Sequence, residues 1–261
     1  MYQKNKEKYI IDLFCGCGGF AEGFERSGYQ SYLSADFDYW ACETFKSRFK
    51  KSKVINEDIT SDKFKAILKK QTKGVKIDGV VAGLPCQSFS SVGRAQDKFS
   101  MAKDKRNYFY KDFFECLKII KPNFFVFENV RGILSAKPNG VKIFDNILEL
   151  SKKLGYVTLD DTSKMVFDTS EYGVPQVRKR VFVIGVKKKY SNLIPKIYDD
   201  LINIHKDKKK FTVKDAISDL PPLKPGEGVE KIRVLKKNKN DYLKKIKNIK
   251  FIYNHVARNH N

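Results

Sequence analysis

Asp78-Gly79-Val80-Val81-Ala82-Gly83-Leu84-Pro85-Cys86-Gln87-Ser88-Phe89-Ser90 decides how the rest of the chain is read. Its first half is a short unbroken apolar run, the pattern of a strand buried on both faces, as in a parallel sheet. A proline and a cysteine follow at once, so the cysteine is expected just past the carboxyl end of a strand. In both directions from this stretch, apolar runs alternate with helical periods. Residues 9–14 read as a first strand, with a helix through about 27; 32–36 as a second, with a helix over 39–49; 54–56 as a short third; and 78–82 as the fourth. Phe109, Phe113, Leu117 and Ile120 fall at helical spacing and predict a helix over 108–120. Residues 124–128 read as a fifth strand leading into Glu128-Asn129-Val130, which puts this glutamate, too, just past a strand end. Val141, Phe144, Ile147, Leu148 and Leu154 repeat the helical pattern with Gly155 as its stop, and 181–186 is a late strand. Such alternation predicts an α/β fold on a doubly wound, mostly parallel sheet, with ligands at the strand carboxyl ends.

The chain has 261 residues, 41% of them hydrophobic, enough for one or two packed domains and too apolar for a disordered chain. Lys+Arg 52 against Asp+Glu 30 leave a formal charge of +22, a bias toward a polyanionic partner. Arginine is the minority among the basic residues, which suits nonspecific phosphate attraction more than base reading; an AT-rich coding bias toward lysine would give the same composition. No run approaches the roughly 18 to 20 apolar residues of a membrane span, and residues 1–8 lack the apolar core of a signal peptide. Five cysteines form an odd number without paired C-x-x-C spacing. His205, His255 and His260 lie far in sequence from Cys15-Gly16-Cys17. The pattern argues against a metal site and for an intracellular, reducing compartment. Beyond residue 186 the lysine runs 187–189, 208–210 and 236–237 and the turn-rich stretch 220–226 interrupt a segment of little periodicity.

Asp12-Leu13-Phe14-Cys15-Gly16-Cys17-Gly18-Gly19-Phe20 sets glycines between a strand and a helix, where a tight turn and close backbone approach to a ligand are needed. Alone, such a turn could cradle a dinucleotide, and Asp36 at the end of the second strand would meet ribose hydroxyls in either case. Asn56-Glu57-Asp58-Ile59 after the third strand and Gln176-Val177-Arg178-Lys179-Arg180 before the late one complete the set. With Pro85–Ser90 and Glu128-Asn129-Val130, these motifs resemble the DNA (cytosine-5)-methyltransferase family over roughly residues 8–190.

The resemblance implies the S-adenosylmethionine-dependent, Rossmann-like methyltransferase fold. Residues 1–190 would form its catalytic domain and 191–261 a basic C-terminal segment leading to a recognition region. By the same resemblance Asp36 takes the ribose, Phe37 packs on adenine and Asp58 takes the adenine amino group. The family usually carries Glu where Asp36 stands, so the arm is shorter here. Asp12, Phe14, Cys17, Gly19, Ile59, Pro85 and Phe109 match other cofactor-contacting positions, with plain core packing an alternative for Phe14 and Phe109.

Cytosine C5 is too poor a nucleophile to take a methyl group directly, and a thiolate added at C6 makes it enamine-like. Cys86 is the candidate nucleophile. A free thiol of pKa about 8.5 is only roughly 3% ionised at neutral pH, so attack has to be coupled to protonation. Glu128 would supply that at ring N3. An unperturbed Glu is only about 0.2% protonated at pH 7, and burial beside Phe127 and Val130 is expected to raise that fraction. Asn129 would hold the active-site backbone. Arg178 and Arg180 would contact the base and the catalytic site, Arg180 at cytosine O2, unless they are ordinary surface or phosphate-contacting arginines. Gln87, Ser90, Arg94 and Arg106 would face nucleic acid, with 91–106 as a loop that closes over a flipped base.

The implied substrate is double-stranded DNA, in the cytoplasm of a bacterium with a restriction–modification system. The rivals are tRNA, whose cytosine-5 methyltransferases share the same Cys and Glu motifs, and a catalytically silent nucleic-acid-binding subunit. The presence of Cys86, Glu128 and Arg180 argues against the last. The family's late Gly-Asn-x-Val motif has no counterpart here, Gly226 and Gly228 being the glycines of the tail. A second polypeptide carrying recognition and the missing motifs is therefore expected, this chain resembling the catalytic subunit of a split enzyme. An interrupted gene or a truncated chain is the alternative.

Overall fold

A computed structural model describes residues 7–85, 105–204, 209–233, 240–246 and 251–259. The chain forms two units, one of Met1–Phe167 with Lys179–Ile204, the other of Asp168–Arg178 with His205–Asn261.

The first unit is built on a mixed sheet. Strands β1 (Lys8–Leu13), β2 (Tyr29–Asp36), β3 (Lys53–Asn56), β4 (Gly79–Gly83) and β5 (Phe124–Val130) are mutually parallel. Their crossovers carry helices α1 (Gly19–Arg26), α2 (Tyr39–Arg48), α3 (Asp62–Thr72) and α4 (Phe109–Ile120), because parallel neighbours cannot be joined by a hairpin. After α5 (Ile143–Lys153) come β6 (Tyr156–Thr158), β7 (Val166–Asp168) and β8 (Lys179–Lys187). The order is β3-β2-β1-β4-β5-β8-β6, with β7 also on β8, and β8 runs antiparallel to β5 and β6. Central strands are apolar on both faces: Ile10, Ile11, Leu13, Val80, Val81, Ala82, Phe125 and Phe127 are all buried. Helix α4 lays Phe113 against Phe125 and Phe127, edge-on at 5.8 and 5.7 Å between ring centres. Gly185 lets β8 pass this cluster, since a Cβ there would drive into the ring of Phe125.

Strand β5 runs two residues beyond the 124–128 expected, so Asn129 and Val130 lie inside it and Glu128 is not at its end. The cause is the partner strand. Pairing with β4 stops at Gly83 opposite Glu128, but β8 continues the ladder to Val130 opposite Arg180. Two helices also escape the sequence reading. Helix α3 buries Phe64 and Leu68, and its first turn is capped by Ser61, whose hydroxyl accepts from the Phe64 N–H at 3.0 Å. Helix α6 (Leu193–Asn203) buries Ile194 and Tyr198 in the segment expected to lack periodicity, and it belongs to the sheet-containing unit. The two compact units divide after 204, and residues 168–178 group with the second unit.

That second unit contains α7 (Val213–Ile217), β9 (Gly228–Arg233), α8 (Asp241–Ile246) and β10 (Phe251–Val256), the two strands pairing antiparallel. Thr212 and Asp215 form a capping box on α7, and Asn240 donates to the Asp215 carbonyl at 3.0 Å and to its carboxylate at 3.1 Å. Among the described residues no helix is long and apolar enough to cross a membrane, and no group of three or more His, Cys, Asp or Glu could hold a metal ion.

Candidate active site

The chain enters the sheet at β1, moves out to β3, and crosses back to β4 on the other side of β1. That reversal opens a crevice at the carboxyl ends of β1 and β4, where an α/β sheet binds its ligands. The turn from β1 into α1 lines it. Phe14 has φ 54°, Gly16 φ 50° and Gly18 φ 92°. Left-handed backbone is easy for the glycines and unusual for Phe14. The Cys15 N–H donates to the Ala35 carbonyl at 3.1 Å and holds the turn against β2. The Phe14 ring stacks on Phe109 at 5.7 Å, which brings these two expected cofactor positions together. Cys17 and Gly19 are exposed on the turn, Phe37 is 72% exposed and Pro85 is half-buried.

The acids around this crevice differ in how they are used. Asp12 is fully buried; its Oδ2 accepts the Ala21 N–H at 3.2 Å and so caps α1 from within β1. Burial, aided by the nearby charge of Asp36 and opposed by that N–H, holds its carboxyl well above the usual carboxylate range. Asp36 accepts the Gly16 N–H at 2.9 Å on Oδ2 and the Asp38 N–H at 3.0 Å on Oδ1, so its carboxylate also shapes the turn. Asp58 is exposed, with Oδ1 taken by the N–H and the hydroxyl of Thr60, both at 2.9 Å; Ile59 beside it is buried. The sequence reading quoted Asn56 and gave it no role. Its side-chain amide donates to the carbonyls of Asp36 at 3.1 Å and Phe37 at 2.8 Å, fixing the backbone that presents both residues. Asp38, likewise overlooked, caps α2 through the Ala41 N–H at 2.8 Å.

On the catalytic side, Glu128 and Arg180 face each other across the β5–β8 pair. Arg180 Nε lies 2.7 Å from Glu128 Oε1, with side chains only 16% and 21% exposed. The contact is an ion pair whose N–H is not aimed at the oxygen, since Arg180 Nε lacks a well-directed acceptor. Its Nη1 donates to the Lys179 carbonyl at 2.8 Å. The expected apolar environment of Glu128 is thus joined by a guanidinium. Asn129 is buried; its Oδ1 accepts the Val130 N–H at 2.8 Å, and its Nδ2 has no hydrogen-bond partner among the described residues. The Leu84 N–H donates to the Glu128 carbonyl at 3.2 Å, tying the exit of β4 to β5.

Asp12, Phe14, Cys17, Gly19, Asp36, Phe37, Asp58, Ile59, Pro85, Phe109, Glu128, Asn129 and Arg180 all belong to the sheet unit, with direct contact for Phe14 and Phe109 and for Glu128 and Arg180. Arg178 precedes β8 and belongs to the other unit, where its carbonyl accepts the Thr169 N–H at 3.0 Å. Cys86, Gln87, Ser90 and Arg94 lie outside the described residues, and so does the side chain of Arg106, whose backbone is part of the helical turn Lys105–Tyr108. Two described cysteines make poor nucleophiles: burial pushes the thiol of Cys15 up, and that of Cys116 up to about 12.

Residues 9–260 match the family model described as C-5 cytosine-specific DNA methylase. The type II methyltransferase M.DdeI of Desulfomicrobium norvegicum is 38% identical over 253 residues, which cover 96% of this chain and 58% of that protein. The type II methyltransferase M.AquIA of Picosynechococcus is 31% identical over 231 residues, 84% of this chain and 91% of that protein. Among solved structures, a DNA modification methyltransferase encoded within an E. coli prophage aligns with a TM-score of 0.67 at 29% identity, over 91% of this chain and 64% of that one. The chain thus spans less than two thirds of M.DdeI and of the prophage enzyme.

Proposed function

The chain belongs to the C-5 cytosine-specific DNA methylase family, and from that premise we propose that it methylates C5 of cytosine in duplex DNA through a covalent bond between Cys86 and C6. S-adenosylmethionine would supply the methyl group as an electrophilic sulfonium. The crevice fits such a ligand: an exposed aromatic ring, Phe37, stands between a positive-φ turn and the exposed carboxylate of Asp58. Asp36 already accepts two backbone N–H groups, so a ribose diol would share its carboxylate with the turn.

The observation that carries the reading is the Glu128–Arg180 pair at the carboxyl end of β5, beside the β4 exit that leads within two residues to Cys86. The Cys86 thiolate adds to C6 while Glu128 holds N3, so charge developing on the ring is met by a hydrogen bond or proton. Arg180 fixes the Glu128 carboxyl and offers further N–H groups toward the base oxygen. C5, now enamine-like, would attack the sulfonium methyl, the S–CH3 bond breaking and S-adenosylhomocysteine leaving as a neutral thioether. Loss of the C5 proton to a base then expels the thiolate and restores the aromatic ring. Target choice, on this reading, is made by sequence outside residues 1–261, either a continuation of the chain or a second polypeptide.

The test uses duplex DNA carrying 5-fluorocytosine, with S-adenosylmethionine and any required partner present. Fluorine at C5 cannot leave as a proton does, so the adduct is trapped. A denaturing gel should show a protein–DNA species with the native chain and none with Cys86→Ser. An adduct that persists in Cys86→Ser would overturn the assignment.

A further inference from the structure

The end of the sheet opposite the active site is edged with lysine. Lys8 opens β1, Lys76 stands shortly before β4, Lys121 shortly before β5, and Lys187 closes the antiparallel β8 with Lys188 next to it. Register brings them to one level. Ile10 pairs with Gly79, Gly79 with Phe124, and Phe124 with Val186, so four adjacent strands present a lysine at the same end. Backbone bonds lock the row. The Asp78 N–H donates to the Tyr9 carbonyl at 2.9 Å, the Lys187 N–H to the Asn123 carbonyl at 2.9 Å, and the Lys188 N–H to the Gly155 carbonyl at 3.2 Å. Lys187 acts as a brace, its Nζ donating to the Lys121 carbonyl at 2.9 Å. Lys8, Lys76, Lys121 and Lys188 are exposed. Two acids lie among them: Asp78 is occupied by the Tyr9 N–H at 3.1 Å and by Asn123 at 3.4 Å, with Lys76 at 3.7 Å, and exposed Glu7 accepts the Tyr9 hydroxyl. At the other end the charges reverse, for Asp12, Asp36 and Glu128 fall within the last three positions of β1, β2 and β5.

We propose that this lysine rim is a second contact surface for the phosphate backbone of duplex DNA, separate from the catalytic end. Its positive charges are all ammonium groups on flexible stems, which bind phosphate as point charges without the planar fork that arginine uses to read bases. Four strands at about 4.8 Å spacing make a row about 14 Å long. A duplex presents one charge per about 1.7 Å of axis, so the row faces on the order of eight phosphate charges. The six residues of β1 separate rim and active site by about 20 Å. A straight duplex seated at one end therefore does not reach the other, and the rim holds a second segment of DNA. This raises the local concentration of substrate without selecting sequence. DNA as the polyanion rests on the proposed function.

The experiment measures binding of the full chain to random-sequence duplex by fluorescence anisotropy across a salt series. The combined variant Lys8→Gln, Lys76→Gln, Lys121→Gln, Lys188→Gln should bind at least tenfold more weakly at low salt. The slope of log K against log salt should fall by about 2 to 4, at about 0.9 per phosphate contact. Equal charge removal on helices and elsewhere, at Lys46, Lys142, Lys164 and Lys196, should leave that slope in place. If the combined variant does not fold, the pairs Lys8/Lys76 and Lys121/Lys188 should each give about half the effect. An unchanged slope in the rim variant, or an equal fall in the control, would overturn the proposal. So would rim-dependent binding of phosphatidylglycerol vesicles by a chain that ignores DNA. Calorimetry with S-adenosylmethionine keeps the two proposals apart, since its failure would strike the proposed function and leave the salt slopes standing.

Discussion

Asp12 has no exposed surface, yet only one of its carboxylate oxygens is engaged, Oδ2 with the Ala21 N–H; Oδ1 has no hydrogen-bond partner among the described residues. Burial raises its pKa well above 3.8, so the folded state holds a proton that the unfolded chain gives up. The sign follows from linkage. The stabilisation is fully present below 3.8 and is lost as pH rises from there through the folded-state value, at up to about 1.4 kcal/mol per pH unit. Asp12→Asn keeps an acceptor for Ala21 and carries no charge. Denaturant unfolding over a pH series should show the fall for the native chain and a flatter profile for Asp12→Asn; identical slopes would sink the account. Asp36 shows a different limit of reading single residues. The motif marks it as an expected ribose ligand and gives no sign that the same carboxylate also accepts the Gly16 and Asp38 N–H groups of the turn.

Helix α6 shows what an element contributes when it lies in a segment expected to lack periodicity. Only Ile194 and Tyr198 are buried, one turn apart in an otherwise exposed or half-buried helix. Tyr198 completes the edge of β8 where β6 does not reach: its hydroxyl accepts the Ile184 N–H at 3.0 Å and donates to the Phe182 carbonyl at 2.9 Å. Tyr198→Phe removes one partner from each of two main-chain groups and should cost about 1 to 3 kcal/mol, read as a lower denaturant midpoint with unchanged slope. An unshifted midpoint would mean that those groups find other partners. The parallel strands were legible because a strand buried on both faces is a continuous apolar run, as in Val80-Val81-Ala82. Helix α3 is hard to read because it buries only Phe64 and Leu68 among lysines and other polar residues. In α6, by contrast, Ile194, Ile197, Tyr198, Leu201 and Ile202 do fall at helical spacing, a period masked by the lysine-rich segments around it. Strands β6 and β7 are three residues long, too short for a period to show. The motifs marked Glu128 and Arg180 one by one. Their contact, and the place of Glu128 inside β5, depend on the β5–β8 register, a long-range pairing that no local pattern encodes.

At the scale of the molecule, the sheet unit holds the turn from β1 into α1 and the Glu128–Arg180 pair, whereas the described residues of the other unit form only short elements. Its β9 and β10 form a two-stranded sheet with most residues exposed, and such a hairpin-like pair is marginally stable in water without a third strand or a packed helix. The matched region is 58% of M.DdeI, so that relative carries a large further portion with no counterpart among these 261 residues. Base-specific recognition needs several side chains held in fixed register against groove edges, whereas a charge of +22 attracts any duplex. Residues 1–261 alone are therefore expected to bind S-adenosylmethionine and to hold DNA weakly, with binding that collapses as salt rises. Bisulfite sequencing of plasmid incubated with the purified chain should show methylation near background and without a preferred site. Adding a polypeptide that supplies a portion equivalent to what M.DdeI carries beyond the matched region should restore a single target sequence. Robust site-specific methylation by the chain alone would show that recognition already resides in these residues, and the division of labour proposed here would be wrong.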